Sequence, residues 1–391
     1  PRRARSAMPE AAVIDLDASA TTTPHPGVVA AMQRCWSDIG GNAASAHRLG
    51  QRARQALETA RECVAALLDA EPGEVVFTSG ATEANNHALT GLLSTSPRPW
   101  HAIATPLEHP SVFEPLAHLR QTAGLELDFL PVTETGGIDP ESLRALLRPQ
   151  TRLVTAMLAN HEMGAVLPVA ALAAQAGGIP LHCDAVQAVG KIPVSFRGLG
   201  VATLSASAHK FHGPQGAGVL LVRQGTALPP LLRGGHQQRG QRPGTEPVAL
   251  AVGCAKALEW ACTEMAQRTA HLSRLRQLFL QRLHAAGVSM ILNGPAEGGL
   301  PHVINLSFPG VPADLLFMRL DLAGVVCSTG SACSSGSMLP SPVLRAMGLP
   351  PDRLRSALRF SLSVDRTEAE VIRAAEIVAR EVGQLAGSEA L

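Results

Sequence analysis

The residues best suited to chemistry in this 391-residue chain sit where apolar runs stop. Leu204-Ser205-Ala206-Ser207-Ala208-His209-Lys210 reads as a strand that delivers a serine, a histidine and a lysine to a Phe211-His212-Gly213-Pro214 turn. A second apolar run, Gly218–Val222, follows directly. A lysine at the end of a buried strand can lose its charge and act as an amine nucleophile. Upstream, Ile179-Pro180-Leu181-His182-Cys183-Asp184 ends in a carboxylate, which needs a partner because desolvating it alone is costly. Gln187 lies one helical turn further on. A lysine for a Schiff base and an acid for a pyridine nitrogen are what pyridoxal phosphate takes from a protein. On local sequence alone, Lys210 also fits a surface turn, and Asp184 a cap for a helix starting at Ala185.

Other stretches could serve the same site. Ser79-Gly80-Ala81-Thr82-Glu83 lies between an apolar run and a helical pattern, so its backbone N–H groups and hydroxyls can cradle a phosphate or simply cap a helix. His109, after Leu107-Glu108, can stack on a flat ring and move protons near neutral pH, or be structural. The Gly- and Arg-rich run Gly234 to Thr245 suits anion recognition or an exposed loop. Cys327 to Met338 is built of small polar residues that cannot pack a core, which predicts a mobile loop. Cys333 in its middle is the better candidate nucleophile; Cys327, just after Val325-Val326, reads as a buried strand-end residue.

Elements that could position these groups follow from the pattern. Strand-like runs at Glu74–Thr78, Ala102–Ala104, Leu125–Leu130 and Arg152–Leu158 alternate with helical segments such as Arg52–Leu68. That alternation predicts an α/β fold with a mostly parallel central sheet covered by helices. From about Leu250 the pattern changes to one or two long helices over Ala251–Ala286, then strands at Val303–Phe308 and Leu358–Ser363 mixed with helices. This predicts a smaller α+β domain. The expected division is a large domain over 15–255 and a small one built from 1–14 and 256–391. The chain length supports two domains.

Composition narrows the function class. Hydrophobic residues make up 46%, charged residues 17%, and the formal net charge is +1. That balance predicts a globular protein with no direct nucleic-acid partner, and no apolar stretch is long enough for a membrane span. Seven scattered cysteines form neither a disulfide framework nor a zinc pattern, so a reducing, cytoplasmic setting and no metal are expected. Residues Pro1 to Ala7 are basic and lack the apolar core of a secretory signal.

Taken together in order, these motifs resemble the cysteine desulfurases among the fold type I (class V aminotransferase) pyridoxal phosphate enzymes. The resemblance runs from Asp17-Ala18-Ser19-Ala20-Thr21-Thr22 through Gly41–His47, Thr78–Glu83, Glu108-His109, Asp184–Gln187, Ser207–Lys210 and Arg239–Thr245 to Arg359–Leu362. The long Gly330–Ser337 segment is similar to the group I branch. The resemblance implies Lys210 as the Schiff-base lysine, Asp184 opposite the pyridine nitrogen, Gln187 at the ring oxygen and His109 stacked on the ring. It implies Ala81, Thr82, Ser207 and His209 at the phosphate, helped by Thr245 of a partner subunit, and hence a homodimer. Arg359, with Asn42 and Asn160, would bind substrate. Where the family has Asn-Asn-Glu, this chain has Asn160-His161-Glu162, so His161 takes an asparagine's place beside the cofactor; His212 stands where tyrosine is common.

The activity implied converts L-cysteine to L-alanine. Lys210 would move the α-proton, and the Cys333 thiolate, helped by His109 or a nearby base, would take the sulfur as a persulfide. An acceptor protein for iron–sulfur cluster assembly or thiolation would receive it. The alternatives are a selenocysteine or sulfinate-type lyase or an aminotransferase on the same scaffold, or a non-catalytic protein that keeps the fold.

Overall fold

The computed structural model describes residues 13–330 and 340–388. Its strands are β1 (Ile14–Asp15), β2 (Val75–Thr78), β3 (His101–Ala104), β4 (Glu126–Phe129), β5 (Thr151–Thr155), β6 (Leu181–Asp184), β7 (Thr203–Ser207), β8 (Gly218–Val222), β9 (Ile291–Asn293), β10 (Val303–Ser307), β11 (Val325–Val326) and β12 (Ala357–Ser361). Seven form one sheet in the order β2-β8-β7-β6-β5-β3-β4. All neighbours are parallel except β8, which runs antiparallel to both β2 and β7. Strands buried on both faces read as continuous apolar runs, and β2, β6, β7 and β8 are buried at every position.

Helices cover both faces. Arg48–Leu67 turns Ala53, Leu57, Ala60 and Val64 inward at helical spacing, which buries one stripe against the sheet and leaves a polar face outside. A core with Phe77, Val154, Cys183 and Phe211 fills one side of the sheet; a second, with Leu89, Leu116 and Leu220, fills the other. A third core lies beneath the antiparallel sheet β12-β10-β9 and joins Ile14, Leu16, Phe279, Phe308, Phe360 and Val378. The helical run after Leu250 is two helices, Val248–Thr263 and Met265–Ala285. Of the run Arg152–Leu158, β5 proper ends at Thr155, but the chain stays bonded to β6 through Ala156 N on His182 O and Leu158 N on Asp184 O, which brings Met157 and Ala159 to the cavity described next.

One short segment links the third core to the large sheet. β1 pairs with β11, Asp17 bridges Ser361 of β12, and the chain then passes along the end of β7. No described helix is long and apolar enough to cross a membrane.

Candidate active site

The C-terminal ends of the parallel strands open into a cavity of roughly 800 Å³, the usual ligand position in an open α/β sheet. β6 ends there in Asp184, and β7 ends in Ser207 and continues into a single 3-10 turn, Ala208–Lys210. Lys210 Nζ donates to the backbone carbonyls of Ser19 and Ala20, both at 2.7 Å. The lysine is half-buried and held by the segment that ties the two parts of the molecule together.

Beside it lies an anion cradle. The helix Ala81–Ser94 starts after Gly80 with no side chain capping its first turn, so its N-terminal N–H groups and dipole face the cavity with Ala81, Thr82, Ser207 and His209 around them. β8 approaches closely enough that a Cβ on Gly218 would stand 2.5 Å from Gly80 Cα. Glu83 braces the loop: it accepts from Ser79 N and from Arg242 Nε. Burial holds the His209 imidazole down to about 4, so it is neutral at physiological pH.

A polar chain runs behind the cavity and fixes its protons. Asn85 Nδ2 donates to Asp184 Oδ2 at 2.8 Å and to Ser111 Oγ at 2.9 Å, so Asn85 Oδ1 must accept from His182 Nε2 at 3.0 Å. His182 Nδ1 therefore accepts from the Thr203 hydroxyl, and burial keeps this ring neutral at about 3. At the other end, the Ser111 hydroxyl and Ser111 N both donate to His109 Nδ1. The His109 proton consequently sits on Nε2. Burial lowers His109, with Asp184 opposing and Lys210 reinforcing the shift. In this arrangement His109 can donate a hydrogen bond from Nε2.

The opposite wall comes from β12 and the turn after β5. Arg359 Nη2 donates to Asp17 Oδ1 at 2.6 Å and Nη1 to His161 O at 3.1 Å, while its buried Nε has no partner among the described residues. His161 stands edge-on to His109 with ring centroids 5.5 Å apart, and burial pushes it well below its usual range. Glu162 lies below it, bonded to Ser341 Oγ and pushed up to about 7 by burial.

Ten predicted residues thus share one cavity: Ala81, Thr82, His109, His161, Asp184, Gln187, Ser207, His209, Lys210 and Arg359. Asn160 does not reach it. It is fully buried, accepts from Glu162 N and Met163 N and donates to Leu107 O, so it shapes the turn that presents His161. Asn42 is exposed and closes its own turn onto Ala44 N, and Thr245 is exposed on a separate loop; neither lines this cavity. Cys333 lies outside the described residues, yet Gly330 before it and Pro340 after it both line the cavity.

Sequence reasoning missed Asn85, Ser111, Glu108 and Glu162. Glu108 Oε1 accepts from Thr105 and Met157 N, its Oε2 is buried without a partner among the described residues, and burial pushes it up to about 8. The available signal was polar residues inside otherwise apolar helical and strand-end patterns.

Comparison with known proteins gives a consistent result. The family model "Aminotransferase class-V" matches residues 14–373. The cysteine desulfurase IscS of Dictyoglomus turgidum is 40% identical over 373 residues, 95% of this chain and 94% of that protein. A solved NifS-like protein superposes with TM-score 0.88 at 34% identity, covering 95% of this chain and 100% of that one. A structure of SspA in complex with cysteine superposes with TM-score 0.78 at 31% identity, covering 89% of this chain and 98% of that one.

Proposed function

Because this chain belongs to the aminotransferase class-V family, among the cysteine desulfurases, we infer that its cavity holds pyridoxal phosphate and takes sulfur from L-cysteine, leaving L-alanine. The observation that carries this reading is the convergence of Lys210, Asp184, His109 and an uncapped helix N-terminus on one cavity, with Arg359 opposite. The donor set fits the cofactor: an amine at a strand end, a carboxylate anchored by Asn85, and a phosphate-sized cradle lined by backbone N–H groups. Bound there, pyridoxal phosphate supplies an electron sink for the bonds at the substrate α-carbon.

The chain's own groups do the rest. Lys210 Nζ moves the α-proton. Asp184, kept by Asn85 and Val186 N as a hydrogen-bond acceptor, favours a protonated ring nitrogen. Arg359 Nε and its neighbouring N–H take the substrate carboxylate. His109 offers a hydrogen-bond donor at Nε2. The thiol proton of Cys333 passes to a base of the site, which leaves the thiolate. The Cys333 thiolate attacks the substrate sulfur. As the S–S bond forms, the substrate Cβ–S bond breaks and its electron pair stays with the carbon fragment, which takes up protons to become L-alanine. The outer sulfur of the Cys333 persulfide goes to an acceptor protein for iron–sulfur assembly or thiolation. Thr245 reaches a phosphate only from a second copy, which makes the working form a homodimer, and the protein is assigned to the cytoplasm.

The test is alanine and sulfide release from L-cysteine in wild type and C333A, with reductant present. Loss of sulfur transfer in C333A with the visible cofactor band intact supports the reading; full transfer in C333A overturns the nucleophile assignment, and absence of any visible band overturns the cofactor assignment.

A further inference from the structure

Gln187 faces the cavity, but its amide could present either a carbonyl oxygen or an amino group to a ligand. Its neighbours decide the matter. Gln187 Oε1 accepts from Lys191 Nζ at 2.6 Å, and Gln187 Nε2 donates to Ser19 O at 3.0 Å. A backbone carbonyl only accepts, so the end facing Ser19 must be the amino group, which leaves the oxygen to accept from Lys191. Ser19 O is also the acceptor for Lys210 Nζ. The two lysines are thereby joined through one amide and one carbonyl: Lys191 to Gln187, Gln187 to Ser19, Ser19 to Lys210.

The local fold makes this arrangement stiff. After β6 the chain winds through consecutive turns, with Val189 N on Ala185 O and Ile192 N on Ala188 O. That winding stacks Lys191 one turn above Gln187, the i,i+4 relation at which side chains meet. Gly190 holds φ +73°, and a Cβ there would stand 2.8 Å from Phe211 Cβ, so the turn is pressed against the residue following Lys210. Lys191 is partly buried and carries no carboxylate partner among the described residues; its Nζ donates to the Gln187 oxygen. Burial and the nearby Lys210 push the Lys191 amine well below its usual range, and an amine at this depth still needs the hydrogen-bond partner that the Gln187 oxygen supplies.

We propose that Lys191 is a positioning residue for the active site: it fixes the Gln187 amide so that Gln187 offers a hydrogen-bond donor to a ring oxygen of the bound cofactor. This rests on the pyridoxal phosphate reading. Without Lys191 the Gln187 oxygen is left buried and unpaired, the amide is free to turn over, and the donor toward the ring oxygen is lost for part of the time. The part of the effect that passes through Gln187 is what a double-mutant cycle isolates from general damage.

The experiment is a double-mutant cycle on K191M and Q187M, read by the dissociation constant of pyridoxal phosphate and the position of the visible band at one fixed pH. Loss of one hydrogen bond to a charged oxygen corresponds to roughly tenfold weaker retention in K191M, with a displaced band. In the Q187M background, K191M should change retention less than about twofold, because the partner is already gone. Unaltered retention in K191M, or an equal loss in both backgrounds, overturns the proposal. Melting of each cofactor-free variant is followed in parallel. Should K191M melt far below wild type, K191R carries the test: it keeps the donor and should retain the wild-type band, and a K191R displaced like Q187M overturns the proposal. Failure of wild type to form any visible band with Lys210 intact would instead strike the cofactor reading.

Discussion

Arg359→Lys isolates the carboxylate contact. In the structure the buried guanidinium spends one N–H on Asp17 Oδ1 and one on His161 O, and its Nε–H has no partner among the described residues. Three of its five N–H groups remain, two of them on adjacent atoms and able to take a carboxylate side-on. Lysine keeps the charge but has three donors; with Asp17 and His161 O served, one is left. The substrate thus loses about one charge-assisted hydrogen bond, ~1.5–3 kcal/mol, which corresponds to roughly 10- to 150-fold. Because the carboxylate contact is present in both the bound substrate and the transition state, the loss should fall on KM with kcat changed little. The assay is alanine formation across a range of L-cysteine, with cysteamine, which has no carboxylate, as control. Cysteamine turnover should be indifferent to the substitution, and the Asp17 pair should keep the melting temperature near wild type. A KM within threefold of wild type, or an equal fall in kcat with KM constant, would refute the assignment of Arg359 to the substrate carboxylate.

Other outcomes follow from the same geometry. C333A should abolish sulfur transfer while retaining the visible cofactor band, measured by sulfide release and absorbance. G218A places a methyl 2.5 Å from Gly80 Cα; overpacking of about 1–3 kcal/mol should displace the anion cradle and weaken cofactor retention at least tenfold, read by equilibrium dialysis. Glu108, pushed up from 4.5 to about 8, holds a proton in the folded chain that the unfolded chain releases, so its contribution is fully present below about pH 4.5 and is lost as pH rises to about 8. E108Q keeps both bonds at Oε1 and removes that loss; urea unfolding of the cofactor-free protein should find it more stable than wild type at pH 8.5, by at most on the order of 5 kcal/mol, and nearly equal at pH 4.5.

Much of this site can be read from local sequence because each functional group ends a strand. Lys210 and Asp184 follow apolar runs that are buried at every position, and Ala81-Thr82 opens the helix where the Ser-Gly-Ala-Thr pattern places it. The alternation of strand and helix carries the mostly parallel sheet in the same way. What stays hidden is what forms across long separations. Asn85 meets Asp184 across 99 residues and His182 across 97, and nothing in the local pattern of its helix marks it as the residue that sets the tautomers of two histidines. Asn160 was misplaced for a related reason: a polar residue next to a functional turn can as easily build the turn as face the ligand, and only the backbone N–H groups of Glu162 and Met163 decide between these. The antiparallel course of β8 escaped because a buried strand has the same apolar look in either direction.

The segment from Asp17 to Ala20 has one further consequence. Asp17 grips Arg359 on β12, and two peptide bonds later the carbonyls of Ser19 and Ala20 grip Lys210. The groups that would recognise substrate and transform it therefore hang from opposite ends of a four-residue tether, stitched on one side to β12 and on the other to the turn after β7. The path from Arg359 to the amine through this tether crosses none of the three hydrophobic cores. Shortening or lengthening this tether by a single residue would put recognition and chemistry out of step while leaving each half of the molecule folded, which makes it a natural place to uncouple the two.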